Sequence, residues 1–136
     1  MEILYTNKFV EFSRLQAGVM QVKYLSQSPT DHDFDEYLSY LDKIYALGEN
    51  FFMILDLRLA GSYMATAHRV KLGNWLKINQ EKMKKHNKGA AFVSGSIVHQ
   101  LIMKAVFAIQ HYPVEYTIVR TDLEVDRWLA SKGIIR

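Results

Sequence analysis

The hydrophobic period of this chain changes near Pro29, and that change constrains its fold more than any other feature. From Val10 to Tyr24 apolar and polar residues alternate: Val10 and Phe12 with Glu11 and Ser13, then Met20, Val22 and Tyr24 with Gln21 and Lys23. A period of two sends successive side chains to opposite faces of a pleated strand, so two half-buried antiparallel strands are expected. Gln16-Ala17-Gly18 between them suits a short hairpin, with Gly18 free to take a positive φ. Ile3 to Thr6 adds a short edge strand before the Asn7-Lys8 turn.

After Ser28-Pro29-Thr30-Asp31 the period becomes helical. Thr30 is a suitable N-cap, and Asp31 and Asp33 fall in the first turn, where the helix dipole favours acids. Phe34, Tyr37, Leu38, Leu41, Ile44 and Tyr45 then recur on one face until Gly48. Phe51 to Leu55 is a short, continuously apolar run, as in a strand buried on both faces. A helix from about Met64 to Lys85 follows, with Ala65, His68, Leu72, Trp75, Leu76 and Met83 on one side. Lys88 to Gly95 reads as a second buried strand and turn. Ser96 caps a helix over Ile97 to His111, which the Tyr112-Pro113 step closes. Val114 to Val119 forms a last strand, and Thr121 or Asp122 opens a final helix carrying Leu123, Val125, Trp128 and Leu129.

The order β-β-β-α-β-α-β-α-β-α predicts an α/β domain over residues 1–136. Its sheet is mixed: antiparallel N-terminal strands, then parallel β-α units, with helices packed on it. No repeat and no domain boundary interrupts it. The 136 residues are 49% apolar, with eight Tyr, seven Phe and two Trp, ample for one core.

Composition removes several kinds of chemistry. There is no cysteine, hence no disulfide, thiolate nucleophile or thiolate-bound metal, which fits a reducing cytoplasm. The N-terminus lacks the basic and apolar regions of a signal peptide. The most apolar stretch, Ile97 to Ile109, is interrupted by His99, Gln100 and Lys104, so a cytoplasmic protein with no membrane span is expected. The five histidines show no metal-ligand spacing, and no phosphate-binding loop, dinucleotide fingerprint or nucleophile elbow occurs. No catalytic residue, metal or cofactor is assigned.

Charge is segregated. Residues 31–49 hold Asp31, Asp33, Asp35, Glu36, Asp42 and Glu49 against Lys43. Residues 69–88 hold Arg69, Lys71, Lys77, Lys82, Lys84, Lys85 and Lys88 against Glu81. The plain reading is two helices with differently charged solvent faces. The net charge is +3, and the aromatic residue among the lysines, Trp75, falls on the packed side of the helix rather than beside them, so a nucleic-acid partner is not expected.

Three segments, together with the element order, resemble the STAS domain, the fold of bacterial anti-sigma-factor antagonists, and more closely the STAS-like group of small stand-alone bacterial proteins. Phe52-Met53-Ile54-Leu55-Asp56-Leu57-Arg58 looks like the central strand and its acidic exit. Lys88-Gly89-Ala90-Ala91-Phe92-Val93 looks like the next strand. Asp126-Arg127-Trp128-Leu129 resembles the closing helix with its Trp-Leu pair. The resemblance spans nearly the whole chain and implies a regulatory module that acts on another protein. Regulated members carry an Asp-Ser-Ser-Gly-like loop after the central strand, where a partner kinase phosphorylates one serine and so controls binding. The corresponding stretch here is Gly61-Ser62-Tyr63-Met64-Ala65-Thr66. The pattern itself is absent, which leaves Ser62 and Thr66 as hydroxyl candidates besides Tyr63.

Each candidate has two readings. Ser62 is either an N-cap or an anion or phosphate site at a helix start. Asp56 and Arg58 lie at the C-terminal end of a parallel strand, where open α/β sheets place ligands. They serve either a crevice shared with Ser94 and Ser96, or each other. His68 is read as buried and satisfied, and for His99 a nearby carboxylate is considered that nothing in the sequence marks.

Three functions follow. The first is a non-enzymatic STAS-like signalling module with a protein partner, a second copy of the chain included, under phosphorylation control at Ser62 or Thr66. The second is a carrier or sensor of a small apolar or lipid-like ligand, with Phe12, Tyr24, Phe52, Trp75, Phe92 and Phe107 lining its cavity. The third is an enzyme pairing Asp56 with a histidine.

Overall fold

The computed structural model describes residues 1–61 and 63–136. Six strands and four helices follow one another as β1 (Glu2–Thr6), β2 (Val10–Gln16), β3 (Val19–Tyr24), α1 (Asp31–Ala46), β4 (Phe51–Asp56), α2 (Thr66–His86), β5 (Asn87–Val93), α3 (Ile97–Ile109), β6 (Tyr116–Val119) and α4 (Asp122–Ser131). The domain is α/β, and its sheet is mixed as expected. β1, β2 and β3 pair antiparallel, and β3, β4, β5 and β6 pair parallel.

The strands lie in the sheet in the order of the sequence, β1 to β6. Every parallel crossover therefore moves one strand in the same direction. Because such crossovers are right-handed, successive helices fall on the same face. One core joins α1, α2 and α3 to that face through Phe34, Tyr37, Trp75, Leu76 and Val106, which meet Val22, Met53, Leu55, Ala90 and Phe92. Among the described residues α4 is the helix on the other face, where Val125 and Leu129 pack on Val19, Ile54, Val93 and Val119. β4 supplies both cores alternately, Met53 and Leu55 to one and Phe52 and Ile54 to the other, which is why its sequence reads as a solid apolar run.

Local rules set most boundaries. Gly18 takes φ 77° in the β2–β3 hairpin. The Thr30 side chain accepts from the Asp33 N–H, and the Asp33 carboxylate accepts from the Thr30 N–H, a capping box in which Asp takes the place of Glu. Thr121 caps α4 through the Glu124 N–H. α2 begins at Thr66 with Ala65 at its N-cap and no side-chain cap bond, two residues later than the spacing suggests. The Ser62 N-cap reading falls on a residue outside those described. α3 ends at Ile109, and β6 begins only at Tyr116, where the parallel register pairs Ala90 to Val93 with Tyr116 to Val119.

The two charged segments face solvent as expected and also meet each other. His68 Nε2 of α2 lies 2.9 Å from Asp31 Oδ1 of α1, Lys71 Nζ lies 2.8 Å from Asp35, and Trp75 Nε1 lies 2.8 Å from Asp42. Residue numbers rise together along both helices, as in parallel β-α units. The more distal lysines of α2, Lys77, Lys82, Lys84 and Lys85, are exposed. Among the described residues no helix is long and apolar enough to cross a membrane.

Candidate functional site

A cavity of about 110 Å³ lies between the sheet and α1, α2 and α3. Its floor is Met53, Leu55 and Phe92 from β4 and β5, and its walls include Leu41, Trp75 and Val106 from the three helices. Gln27 and Ser28 after β3, with Ala60, Gly61 and Tyr63 after β4, rim it at the C-terminal ends of these parallel strands, where α/β sheets open. The space is mostly apolar, and the sheet's handed topology creates it by stacking all three crossover helices on one side.

Tyrosine hydroxyls interrupt this apolar lining. Tyr24 and Tyr37 place their oxygens 2.6 Å apart, and Tyr45 accepts from Asn87 Nδ2 at 3.0 Å. Tyr112, from the segment after α3, stands beside Asn87 and within electrostatic reach of Tyr45 and Tyr37. Burial pushes the Tyr24 phenol well above its ordinary range, with Tyr37, Tyr112 and Tyr45 adding to it. Burial raises Tyr37 to about 12, partly offset by its bond to Tyr24. It raises Tyr45 as well, against the opposing bond from Asn87. Tyr112 goes up through burial and then through Tyr45 and Tyr37. All four are neutral phenols at physiological pH, and so can donate hydrogen bonds.

His99 holds the rim. Its Nε2 lies 3.2 Å from the carbonyl oxygens of both Ala60 and Gly61, so Nε2 carries the proton and donates. Nδ1 accepts from Ser94 Oγ at 3.1 Å, and Ser94 Oγ accepts from the Ser96 N–H at 3.1 Å. This relay ties the loop after β4 to the end of β5 and the start of α3. His99 therefore meets main-chain carbonyls and a hydroxyl rather than a carboxylate.

Asp56 and Arg58 do not join Ser94 and Ser96 in an open crevice. The buried Asp56 carboxylate accepts from the Arg58 N–H at 3.0 Å, from Nε at 3.0 Å and from Nη2 at 2.9 Å. The same Nη2 reaches Asp122 on the first turn of α4 at 2.8 Å. Burial pushes the Asp56 carboxyl up, but bonds and charge from Arg58, with Lys23 behind it, outweigh this and hold it below its usual range. The trio clamps the end of β4 to α4.

Among the described residues Asp56 pairs with no histidine; there the histidines that meet acids are His68, with Asp31, and His32, with Glu36. Among the described residues no three His, Asp or Glu side chains gather as a metal site would require. Thr66 is exposed at the first position of α2, and Arg69 Nη2 donates to its hydroxyl at 3.0 Å.

Of the residues expected to line a cavity, Tyr24, Trp75, Phe92 and Phe107 do so, while Phe12 and Phe52 do not. Phe52 faces α4, edge-on to Trp128 at 5.7 Å. Tyr37, Tyr45 and Tyr112 escaped sequence reasoning as site residues. For Tyr37 and Tyr45 the available signal was tyrosine, rather than phenylalanine, at buried helix positions. In comparisons with known proteins, no family model and no curated protein matches the chain.

Proposed function

We propose that this chain is a non-enzymatic binding module on a STAS-like fold, and that it holds a small apolar molecule between sheet and helices. The apolar cavity opening at the strand ends supports this reading. An engineered apolar cavity of roughly 150 Å³ takes up benzene or xenon, and 110 Å³ behind an open rim admits a single ring. The rim is also the loop that the STAS resemblance marks as a regulatory surface, so occupancy has a route to a partner. The test is thermal unfolding of the protein with benzene. A ligand bound only by the folded state raises Tm with concentration. Val106→Phe fills the cavity and should abolish that rise while leaving the fold intact. No rise in the wild type would sink the reading.

A second reading, protein contact under phosphorylation control, is favoured by Thr66. A phosphate on this exposed hydroxyl would meet both the Arg69 guanidinium and the helix N-terminus. Ser62 is its other candidate acceptor. An exposed apolar strip of Ile97 and Leu101 on α3, with Tyr116 and Ile118 on edge strand β6, suits a protein partner or a second copy. Capture of one partner from lysate by the wild type, lost on Ser62→Asp or Thr66→Glu, would support this reading; equal capture by all three would end phosphorylation control.

A further inference from the structure

Among the described residues, the hydroxyl protons around the cavity outnumber their protein acceptors. In the Tyr24–Tyr37 pair one hydroxyl donates to the other, which leaves one proton over. Tyr45 uses its oxygen to accept from Asn87, so its own proton is free. Asn87 cannot take it, because its Oδ1 already accepts from the Gly89 N–H. The Tyr112 hydroxyl likewise meets no protein acceptor among the described residues. Among the described residues no carbonyl or carboxylate receives any of these protons. The lining is thus an apolar space with surplus donors, and leaving a polar group without a partner away from water is unfavourable.

Charge narrows the class further. Among the described residues that line the cavity there is no Lys, Arg, Asp or Glu, and both ring nitrogens of His99 are engaged. A carboxylate or phosphate placed here would be a buried anion with no counter-charge, which proteins avoid. A purely apolar molecule would leave the hydroxyls unsatisfied. A neutral acceptor satisfies both conditions. Resting on the ligand reading above, we infer that the cavity selects a neutral, single-ring-sized apolar molecule bearing one carbonyl oxygen, which the free tyrosine hydroxyls bind.

Three probes of similar size separate the alternatives: acetophenone, neutral with a carbonyl; ethylbenzene, with no acceptor; and benzoate, with a charged one. Each is titrated calorimetrically into the full chain at neutral pH. Acetophenone should bind at least tenfold more tightly than either of the others. Tyr112→Phe and Tyr45→Phe, each removing one hydroxyl and little volume, should shrink that preference several-fold by weakening acetophenone binding without weakening that of ethylbenzene. Equal binding of acetophenone and ethylbenzene, or a preference indifferent to both substitutions, overturns the carbonyl assignment but leaves the ligand site standing. Tightest binding of benzoate overturns the neutral-ligand assignment. If none of the three binds and benzene gives no thermal shift, the ligand reading itself falls, and the inference with it.

Discussion

The Trp75 indole N–H donates to the Asp42 carboxylate at 2.8 Å, joining α2 to α1 at the far end of the line of polar contacts that Asp31 and His68 begin. Trp75 is buried and walls the cavity, whereas Asp42 is exposed on α1.

The contacts between α1 and α2 should therefore be unequal. Trp75→Phe loses a charge-assisted hydrogen bond and core volume together, and should cost about 2–3 kcal/mol in urea unfolding. Removing the exposed Asp35–Lys71 pair should change stability little, and that little should vanish in molar salt. Similar losses at both places would show that the contacts act as one surface network instead.

Arg58→Met strands the buried Asp56 carboxylate and should destabilise the fold by about 3 kcal/mol, whereas Asp122→Asn, at an exposed partner, should cost far less. The pH dependence gives the sign. Asp56 has a lowered folded-state pKa, so its contribution is present above the ordinary aspartate value near ~4 and is lost as pH falls through the folded value. Without Arg58, burial is no longer outweighed and the folded pKa rises. Acidification from neutrality should then restore part of the variant's deficit. Urea midpoints of both proteins across the acid range test this, and parallel profiles would refute it.

Gly73 lies where α2 crosses the end of α3. A Cβ there would stand 2.7 Å from both Cβ and Cγ2 of Ile109. Alanine gains about 1 kcal/mol of helix propensity over glycine, yet Gly73→Ala should still destabilise the protein by about 1–3 kcal/mol through overpacking. Ile109→Ala should not rescue it, because the Ile109 Cβ is itself one of the blocking atoms. Ile109→Gly should rescue it in part. Thermal melts of the single and double variants decide the matter.

Alkali should unfold this protein steeply. Tyr24, Tyr37, Tyr45 and Tyr112 all have raised folded-state pKa values. Their stabilisation is complete below the ordinary tyrosine value near ~10 and falls as pH rises above it, by up to about 1.4 kcal/mol per pH unit for each group. Absorbance at the phenolate band should show these tyrosines ionising together with loss of helical circular dichroism. Their ionisation ahead of unfolding would contradict their burial.

The sequence was most legible where one period held over a whole element. The alternation at Val10–Tyr24 and the solid run at Phe51–Leu55 named the antiparallel strands and the double-sided central strand, because each pattern mirrors which faces are covered. The charged segments face solvent as expected, but the contacts between them could not be read, because spacing along one helix is silent about its neighbour. Asp31, Asp35 and Asp42 meet α2 only because parallel crossovers set α1 and α2 side by side. His99 was harder still, since its partners at Ala60 and Gly61 are main-chain carbonyls, which no side-chain pattern marks. The tyrosine cluster draws on β3, α1 and the segment after α3, and a tyrosine at a core position counts as apolar by periodicity until the fold shows where its hydroxyl ends.

Because no strand is inserted between two earlier ones, the sheet is laid down in the order in which the chain is synthesised. Each new β-α unit finds its neighbour already in place, at the edge left by the unit before it. The far face obeys the opposite timetable. Phe52, Ile54, Val93 and Val119 stay bare on that side until Val125, Trp128 and Leu129 emerge near the C-terminus. Until those residues pack, the sheet keeps one greasy side open, which makes α4 the element that separates a covered sheet from a sticky one.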